Sequence, residues 1–491
     1  MRNLFIFVFL FQTQNLHSKE LKPLLPNAIK HILKTASNHS LNKDNISYSI
    51  REFGGHNEVS FFGSDREIIP ASLSKILTSF YAMKVLGENY QFSTKLESIG
   101  KIIEGTLVGN IYLTGGGDPL LSNADLMGLV LSLKEKGIDK VQGHFYYNDQ
   151  KYPTIKMISE IGLGDQTYNP GVSALSLEYN RFIVWRGGHR YKSMKSTFTP
   201  IPTIPYFKVE KVSKNFTPGL RFLFTEDENE LWKVSNYIKY KIIEEVPIRK
   251  PGKYVSETFR MLAQNMGIKI PESNLIPESE IKKDKEMIHE HYSKPLHVIV
   301  KAAMEYSNNL LSELLLLGAD YKYYKSPSLN VAAEKMISWF KKNYKEIDFS
   351  KTLFKNGSGL DTENRINTRT LSHFIALYAP KKIQTKFFLT FFSISGQSGW
   401  LTKRMHDPEM SFKVFAKTGS LDYINNLAGV FFGRSNKPYA FSISIFDYEK
   451  REMLNNANSK EINLLRERAK PWNKDVKPLL DDILRYFHRS L

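Results

Sequence analysis

A serine and a lysine three residues apart, Ser72 and Lys75 in "IIPASLSKILTSF", can make a nucleophile with its own base. A serine hydroxyl attacks poorly at neutral pH and needs a base within hydrogen-bond reach. One helical turn puts the two side chains on the same side. The spacing alone decides little, since it recurs at Ser40–Lys43, Ser279–Lys282 and Ser338–Lys341. A second group is Lys417-Thr418-Gly419, present once and followed by Ser420. Its lysine supplies a fixed positive charge, and its glycine would let a ligand come close to strand backbone. A third is Ser307-Asn308-Asn309, whose Ser-x-Asn pattern is also met at Ser40–Asn42, Ser213–Asn215 and Ser328–Asn330. Taken singly, the spacing favours Ser72 as a helix cap and Lys75 as a solvated first-turn residue. For Ser307 and Asn309 the alternative is a pair of polar residues in a buried helix interface.

These side chains need elements to hold them. "NISYSIREFGGHNEVSFF" (45–62) predicts two strands around a Gly-Gly turn. In the next run Ile76, Leu77, Phe80, Tyr81 and Leu86 mark a helix face, and Gly87 marks its stop. Ser72 then stands at the helix N-terminus, where free N–H groups and the dipole favour developing negative charge. From about 95 to 290, short runs such as "GTLVGNIYLTGGGDPLL", "VQGHFYYND" and "GLRFLFT" predict a β-rich insertion. A helical period returns in "KYVSETFRMLAQNMGI" and is strong in "PLHVIVKAAMEYSNNLLSELLLLGA", which contains the Ser-x-Asn group. "KVFAKTGSLDYINNLAGVFFG" and "PYAFSISIFDY" read as buried strands, with the Lys-Thr-Gly on an edge strand. The final "VKPLLDDILRYFHRSL" reads as an amphipathic helix packed on that sheet, because both signs of charge line its polar face. "TGGGDP" lacks the Gly-Lys-Ser/Thr of a phosphate loop and reads as a turn.

A chain of 491 residues that is 42% hydrophobic accommodates two or three domains. A basic "MRN", the apolar run Leu4–Phe11 and a polar "QTQNLHSKE" have the layout of a secretory signal, so residues 1–18 predict export to the periplasm. Eight apolar residues are too few to span a bilayer; the alternative is a buried N-terminal strand. The absence of cysteine excludes a lipid-modified cysteine anchor, disulfides, thiolate zinc sites and a cysteine nucleophile. The formal charge of +18 is scattered, with no dense basic arm. It suits attraction to an anionic envelope or substrate, or a solvated basic surface without a specific partner. Nucleic-acid binding is not expected, peripheral membrane contact is not indicated, and neither metal nor cofactor is called for.

Order and setting single out one set of groups. A Ser-x-x-Lys at a helix start, a Ser-x-Asn far downstream and a Lys-Thr-Gly on a late strand form the motif set of β-lactamases and penicillin-binding proteins. The blocks "PASLSKILTSFYAMKVLGENYQFSTKL", "GTLVGNIYLTGGGDPLL", "NPGVSALSLEYN", "SNNLLSELL", "NGSGL", "SGQSGWLTKRM" and "AKTGSLDYINNLAGVF" follow in order. With them the chain resembles the low-molecular-mass class C penicillin-binding proteins, the S13 family of D-Ala-D-Ala carboxypeptidases and endopeptidases. The long separation of Ser72 from Ser307 leaves room for the domains this family inserts.

The resemblance implies an α+β fold with a β-lactamase/transpeptidase-like domain, an antiparallel sheet flanked by helices, formed by 19–95 and 290–491. Inserted β-rich domains would occupy 96–289. It implies catalytic roles for Ser72, Lys75, Ser307, Asn309 and Lys417, with Thr418, Gly419 and Ser420 binding substrate. Ser72 would attack the penultimate D-Ala of peptidoglycan stem peptides, and β-lactam antibiotics would acylate it. Lys75 would act as base, its pKa lowered by desolvation and by Lys417. Ser307 would pass a proton to the departing amine, Asn309 would bind Lys75 and substrate backbone, and the Ser72 and Ser420 N–H groups would form the oxyanion hole. "NGSGL" would rim the site, and Asp165 would either meet the amine end of a peptide side chain or be a surface-turn carboxylate. Two departures stand out: Trp400, where relatives often carry a small polar residue, and the lengthened 448–477 link before the last helix. A β-lactam hydrolase or esterase on the same scaffold, and an idle wall-binding protein, remain alternatives.

Overall fold

Both ends of the chain build the largest sheet. Its six strands run in the order Ser393–Ile394, Val414–Leu421, Ile424–Phe432, Pro438–Phe446, Ile46–Glu52 and Glu58–Phe62. Every neighbouring pair is antiparallel. The structure is a computed structural model describing residues 28–161, 164–187, 197–213, 216, 220–226, 229–235, 243–281, 284–457 and 461–491. The expected signal at 1–18 lies outside these residues. Among the described residues, no helix is long and apolar enough to cross a membrane.

The sheet strands are buried on both faces because they alternate between two cores. Ala428, Val430 and Ala440 face a core shared with the helices Ser74–Leu86, Leu296–Tyr306, Asn309–Tyr321, Leu329–Asn343 and Thr368–Tyr378. Leu427, Phe431, Phe441 and Ile443 face the other way, onto Ile32 of the helix Ala28–Ser37 and onto Val476, Leu480, Ile483 and Phe487 of the last helix. That last helix packs on the sheet as its pattern predicts, but it begins far earlier, running from Ile462 to Ser490 through Pro471 and Pro478. Most of the 448–477 link is therefore helical, with a short helix at Tyr448–Asn455 ahead of it.

The helix Ser74–Leu86 was expected to show one apolar face; instead only Lys84 is exposed. It is an interior helix, enclosed by other helices rather than lying on a surface. Phe80 is surrounded by the rings of Phe340, Tyr344, Phe374, Tyr378 and Phe388, with centroids 5.0–6.1 Å away. Full burial of one such side chain contributes about 1.5–3 kcal/mol. The result is a rigid platform behind the helix start.

The chain between the helix Ser74–Leu86 and the helix Leu296–Tyr306 builds a second sheet, of mixed direction. Its strands are Ser273–Leu275, Phe145–Asn148, Thr106–Thr114, Ser93–Ile103 and Glu286–Tyr292, with Lys140–Val141 beside the third. Its first and last strands along the chain start at Ser93 and end at Tyr292, so they reach slightly beyond 96–289 on each side. Two helices, Asn123–Glu135 and Pro251–Asn265, share its core. The first of these lies where only strands and turns were expected. Two three-stranded sheets complete this region.

Candidate active site

Ser72 lies in a single 3₁₀ turn, Ala71–Leu73, immediately before the helix Ser74–Leu86. Ala71 takes a left-handed backbone conformation, φ 48°, which costs energy in a non-glycine residue. Three contacts hold this turn. Asn426 Nδ2 donates to the carbonyls of Ile69 and Pro70 at 2.9 Å each, and its Oδ1 accepts from Ser444 Oγ at 2.6 Å. Gly359, at φ +81°, leaves room for the Ala71 carbonyl, which would stand 1.8 Å from an added Cβ. Gly419 does the same for the Pro70 carbonyl, at 2.6 Å. Gly419 was expected to admit a ligand; the space its missing side chain leaves is filled by the protein's own turn, and it does not line the cleft.

Lys75 Nζ stands 3.0 Å from Ser72 Oγ, 2.7 Å from Asn309 Oδ1 and 2.7 Å from the Ser358 carbonyl. Its side chain is fully enclosed, and that burial lowers its pKa to about 7, against an opposing pull from Glu313. Glu313 lies beneath the "NGSGL" loop and accepts from the N–H groups of Gly357 (2.8 Å) and Ser358 (2.9 Å). Burial pushes its own pKa up. Lys417 Nζ is 2.8 Å from Ser307 Oγ and 2.9 Å from the Thr418 carbonyl. Burial first, and then the charge of Lys75, hold Lys417 well below its ordinary value. The lowering of the Lys75 pKa was expected to come in part from Lys417; the burial of Lys75 itself dominates.

The Ser-x-Asn group lies at a break rather than inside one long helix. Ser307 ends the helix Leu296–Tyr306 in a left-handed conformation, φ 57°. Asn308 then caps the next helix by accepting from Leu311 N–H at 3.1 Å, and Asn309 is that helix's first residue. The break turns Ser307 and Asn309 toward the same cleft. Beyond Ala416, the Lys-Thr-Gly strand has no partner on its outer edge among the described residues, because Ser393–Ile394 pairs only with Ala416 and Phe415. Its free edge can take an extended peptide as an added strand.

The cleft between these parts has a volume of about 710 Å³. Ser72, Ser307, Asn309, Thr418 and Ser420 line it, with Gly359 and Leu360 of the "NGSGL" loop. Thus the structure brings all the predicted groups together, with Lys75 and Lys417 as enclosed amines behind them and Gly419 as a packing position. Asp165 is not available to a ligand: its side chain is buried, Oδ2 accepts from the N–H groups of Arg221 and Phe222, and Oδ1 accepts from Gln166. Trp400 stands exposed at the mouth, its Nε1 donating to the Tyr306 carbonyl at 3.1 Å.

Several contributors were not anticipated. The carbonyl of Tyr168, from the inserted region, accepts from Asn309 Nδ2 at 2.8 Å. Asn473 of the last helix accepts from Asn425 Nδ2 (2.8 Å), and Asn425 Oδ1 accepts from Ser420 Oγ (3.0 Å). Arg451, Arg466 and Lys477, all in the lengthened link, line the cleft. The one available signal was a lone acid, Glu313, inside the apolar "LLSELLLL". A carboxylate in such a run is usually paired or hydrogen-bonded.

The chemistry this allows is specific. A neutral Lys75 amine has two N–H donors for Asn309 Oδ1 and the Ser358 carbonyl, both pure acceptors, and one lone pair for the Ser72 hydroxyl proton. Comparison with known proteins agrees in family and fold. Residues 28–464 match the model of the D-Ala-D-Ala carboxypeptidase 3 (S13) family. D-alanyl-D-alanine carboxypeptidase DacB of Haemophilus influenzae is 24% identical over 434 residues, spanning 83% of this chain and 87% of that protein. The crystal structure of penicillin binding protein 4 from the same organism superposes with a TM-score of 0.72 at 23% identity, covering 88% of this chain and 96% of the other. A second structure of that protein, complexed with a β-lactam, superposes at 0.70 with 22% identity and the same coverage. The chain belongs to the D-Ala-D-Ala carboxypeptidase 3 (S13) family.

Proposed function

We propose that the protein is an exported serine DD-peptidase acting on peptidoglycan stem peptides through an acyl-enzyme on Ser72. The carrying observation is the set of three neighbours of Lys75 Nζ, which a neutral amine satisfies completely while accepting the Ser72 proton. As Ser72 Oγ bonds to the penultimate D-Ala carbonyl, its proton passes to Lys75. The negative charge on the carbonyl oxygen is met by the N–H groups of Ser72 and Ser420. Collapse breaks the peptide bond, and the departing amine takes a proton through Ser307, which Lys417 orients. Thr418 and Ser420 hold the terminal carboxylate near the Lys417 end of the strand. Water then releases the acyl group. The same transfer would open a cross-link in which the leaving amine belongs to a second stem peptide. The Leu4–Phe11 run supports export to the compartment that holds this substrate.

A fluorescent penicillin tests this reading. Stable covalent labelling that disappears in Ser72→Ala supports it, and absence of labelling at any concentration refutes it. Rapid turnover of the drug would assign a β-lactam hydrolase instead. Release of free D-Ala or of uncrosslinked muropeptides from purified peptidoglycan separates carboxypeptidase from endopeptidase action.

A further inference from the structure

One buried cation takes no direct part in the peptidase chemistry. Arg249 belongs to the inserted region, just before the helix Pro251–Asn265, and only 1% of it is exposed. Its guanidinium lies 5.7 Å from the centre of the Trp232 ring and donates to backbone carbonyls rather than to a carboxylate. Nη1 reaches the carbonyls of Asn169 (2.7 Å) and Lys156 (3.0 Å), and Nη2 reaches that of Gly164. Burial lowers its pKa to about 10, against the pull of Glu230 and Asp165, so it stays cationic at neutral pH. Its backbone is fixed as well, because the buried Glu230 accepts from the N–H groups of Arg249 (2.7 Å) and Lys250 (2.9 Å). Taking a guanidinium out of water is costly, and its rigid fork of donors offsets that cost here by tying several carbonyls at once.

What Arg249 holds is the stretch of chain that meets the catalytic centre. Asn169 follows Tyr168 directly, and its side chain is pinned too: Nδ2 donates to the Ser159 carbonyl (2.6 Å) and Oδ1 accepts from the Ser159 N–H (3.0 Å). Gly171 N–H donates to the Ile248 carbonyl at 2.7 Å, so the chain leaving Tyr168 runs against the chain entering Arg249. The Tyr168 carbonyl is thereby kept 2.8 Å from Asn309 Nδ2. That carbonyl decides which end of the Asn309 amide faces Lys75. An amide has nearly the same shape in either orientation, and its partners choose between them. A carbonyl only accepts, so Tyr168 draws the NH₂ end to itself and leaves Oδ1 for Lys75 Nζ, at 2.7 Å. The second Nδ2 hydrogen remains for substrate backbone. Reversed, the amide would donate to Lys75 and occupy the lone pair that must receive the Ser72 proton.

We propose that Arg249 is a positioning residue for acylation: through the Tyr168 carbonyl it orients the Asn309 amide so that the Lys75 lone pair stays free for the Ser72 proton. The inference rests on the DD-peptidase reading and gives the inserted region a share in the chemical step.

The test is a double-substitution cycle on acylation by fluorescent penicillin, whose concentration dependence separates non-covalent affinity from the limiting acylation rate. Long incubations keep slow variants measurable. Arg249→Met should lower the limiting rate by about tenfold, as expected when one orienting hydrogen bond is lost, and should change the affinity less. Asn309→Ala should slow acylation as well. Adding Arg249→Met to Asn309→Ala should bring little further loss, because no amide is left to orient. A role confined to stability would instead multiply the two losses. Arg249→Lys, which keeps a charged donor, should recover part of the rate. Multiplied losses or a wild-type rate in Arg249→Met overturn the proposal. So does faster acylation in Arg249→Met, which would show that the Tyr168 carbonyl blocks the place of the substrate. Should Arg249→Met show no cooperative thermal unfolding, Asn169→Ala, which loosens the same stretch, takes its place in the cycle and the same outcomes decide. A wild-type protein that no penicillin labels and that releases no D-Ala refutes the peptidase reading itself.

Discussion

The floor and the outer wall of the cleft handle positive charge in opposite ways. On the floor, Lys75 and Lys417 are enclosed and meet only neutral oxygens, those of Ser72, Asn309 and Ser358 in one case and of Ser307 and Thr418 in the other. On the wall, Arg181, Arg404 and Arg466 are partly exposed, and each pairs with a carboxylate. Burial without a counter-charge drives a lysine toward its neutral form, which is what a base requires. A guanidinium keeps its charge throughout, which is what recognition of an anion requires. Residue type and local dielectric thus set the charge state of each cation within one cavity.

The strongest way to break this contrast is at Lys75. Lys75→Met should slow acylation by fluorescent penicillin by about 10²–10⁴-fold. Lys75→Arg should not restore it, because arginine stays charged. A Lys75→Arg enzyme labelling at the wild-type rate would show that a fixed charge is enough there.

The pH profile sharpens the same point. A lysine base works only when deprotonated, so the acylation rate should rise with pH through about 7, the value to which burial brings Lys75. Glu313 opposes that lowering. Removing its charge in Glu313→Gln should therefore move the rising limb to lower pH, with roughly tenfold change per unit of displacement below the limb. A limb that does not move would assign it to another group.

Next in size is the turn that carries Ser72. Gly359→Ala would place a methyl group against the Ala71 carbonyl at a left-handed position. Overpacking of that kind costs about 1–3 kcal/mol. Thermal unfolding should start at lower temperature and labelling should slow. Unchanged labelling would show that the turn relaxes freely.

The smallest effect is expected from the wall. Asn473→Ala removes the group that holds Asn425, which in turn accepts from Ser420. One such hydrogen bond contributes about 1 kcal/mol. KM for a D-Ala-D-Ala peptide should rise a few-fold with kcat nearly kept. A fall in kcat with KM unchanged would place the effect on the oxyanion side rather than on carboxylate binding.

Legibility follows the same division. The Ser72–Lys75 spacing, the Gly87 stop, the strands about the Gly-Gly turn and the Lys-Thr-Gly strand were readable because each depends on neighbours within a turn or a strand. The competing Ser338–Lys341 pair illustrates what that reading lacks. It has the same spacing on the helix Leu329–Asn343, yet both side chains are exposed, and Ser338 Oγ donates to the Glu334 carbonyl of its own helix. The helix break at Ser307 and the helix at Asn123–Glu135 escaped the pattern reading. In the first, an apolar period continues across the break; in the second, the surrounding strands set the expectation. Asp165 was misjudged because nothing local shows that the N–H groups of Arg221 and Phe222 fold over it.

By itself, the sequence determined the Ser72–Lys75 spacing and the alternation that buries the central strands, both of which are properties of short spacing, and the order of the motif groups. Only the tertiary structure decided that Asn309, 234 positions away, completes the surroundings of Lys75. It also enclosed that lysine, and it brought the last helix, the Tyr168 loop and the Asp422 turn together as one wall. The reason is physical. A pKa and a cavity depend on what excludes water from every side, and most of those sides are supplied by distant parts of the chain.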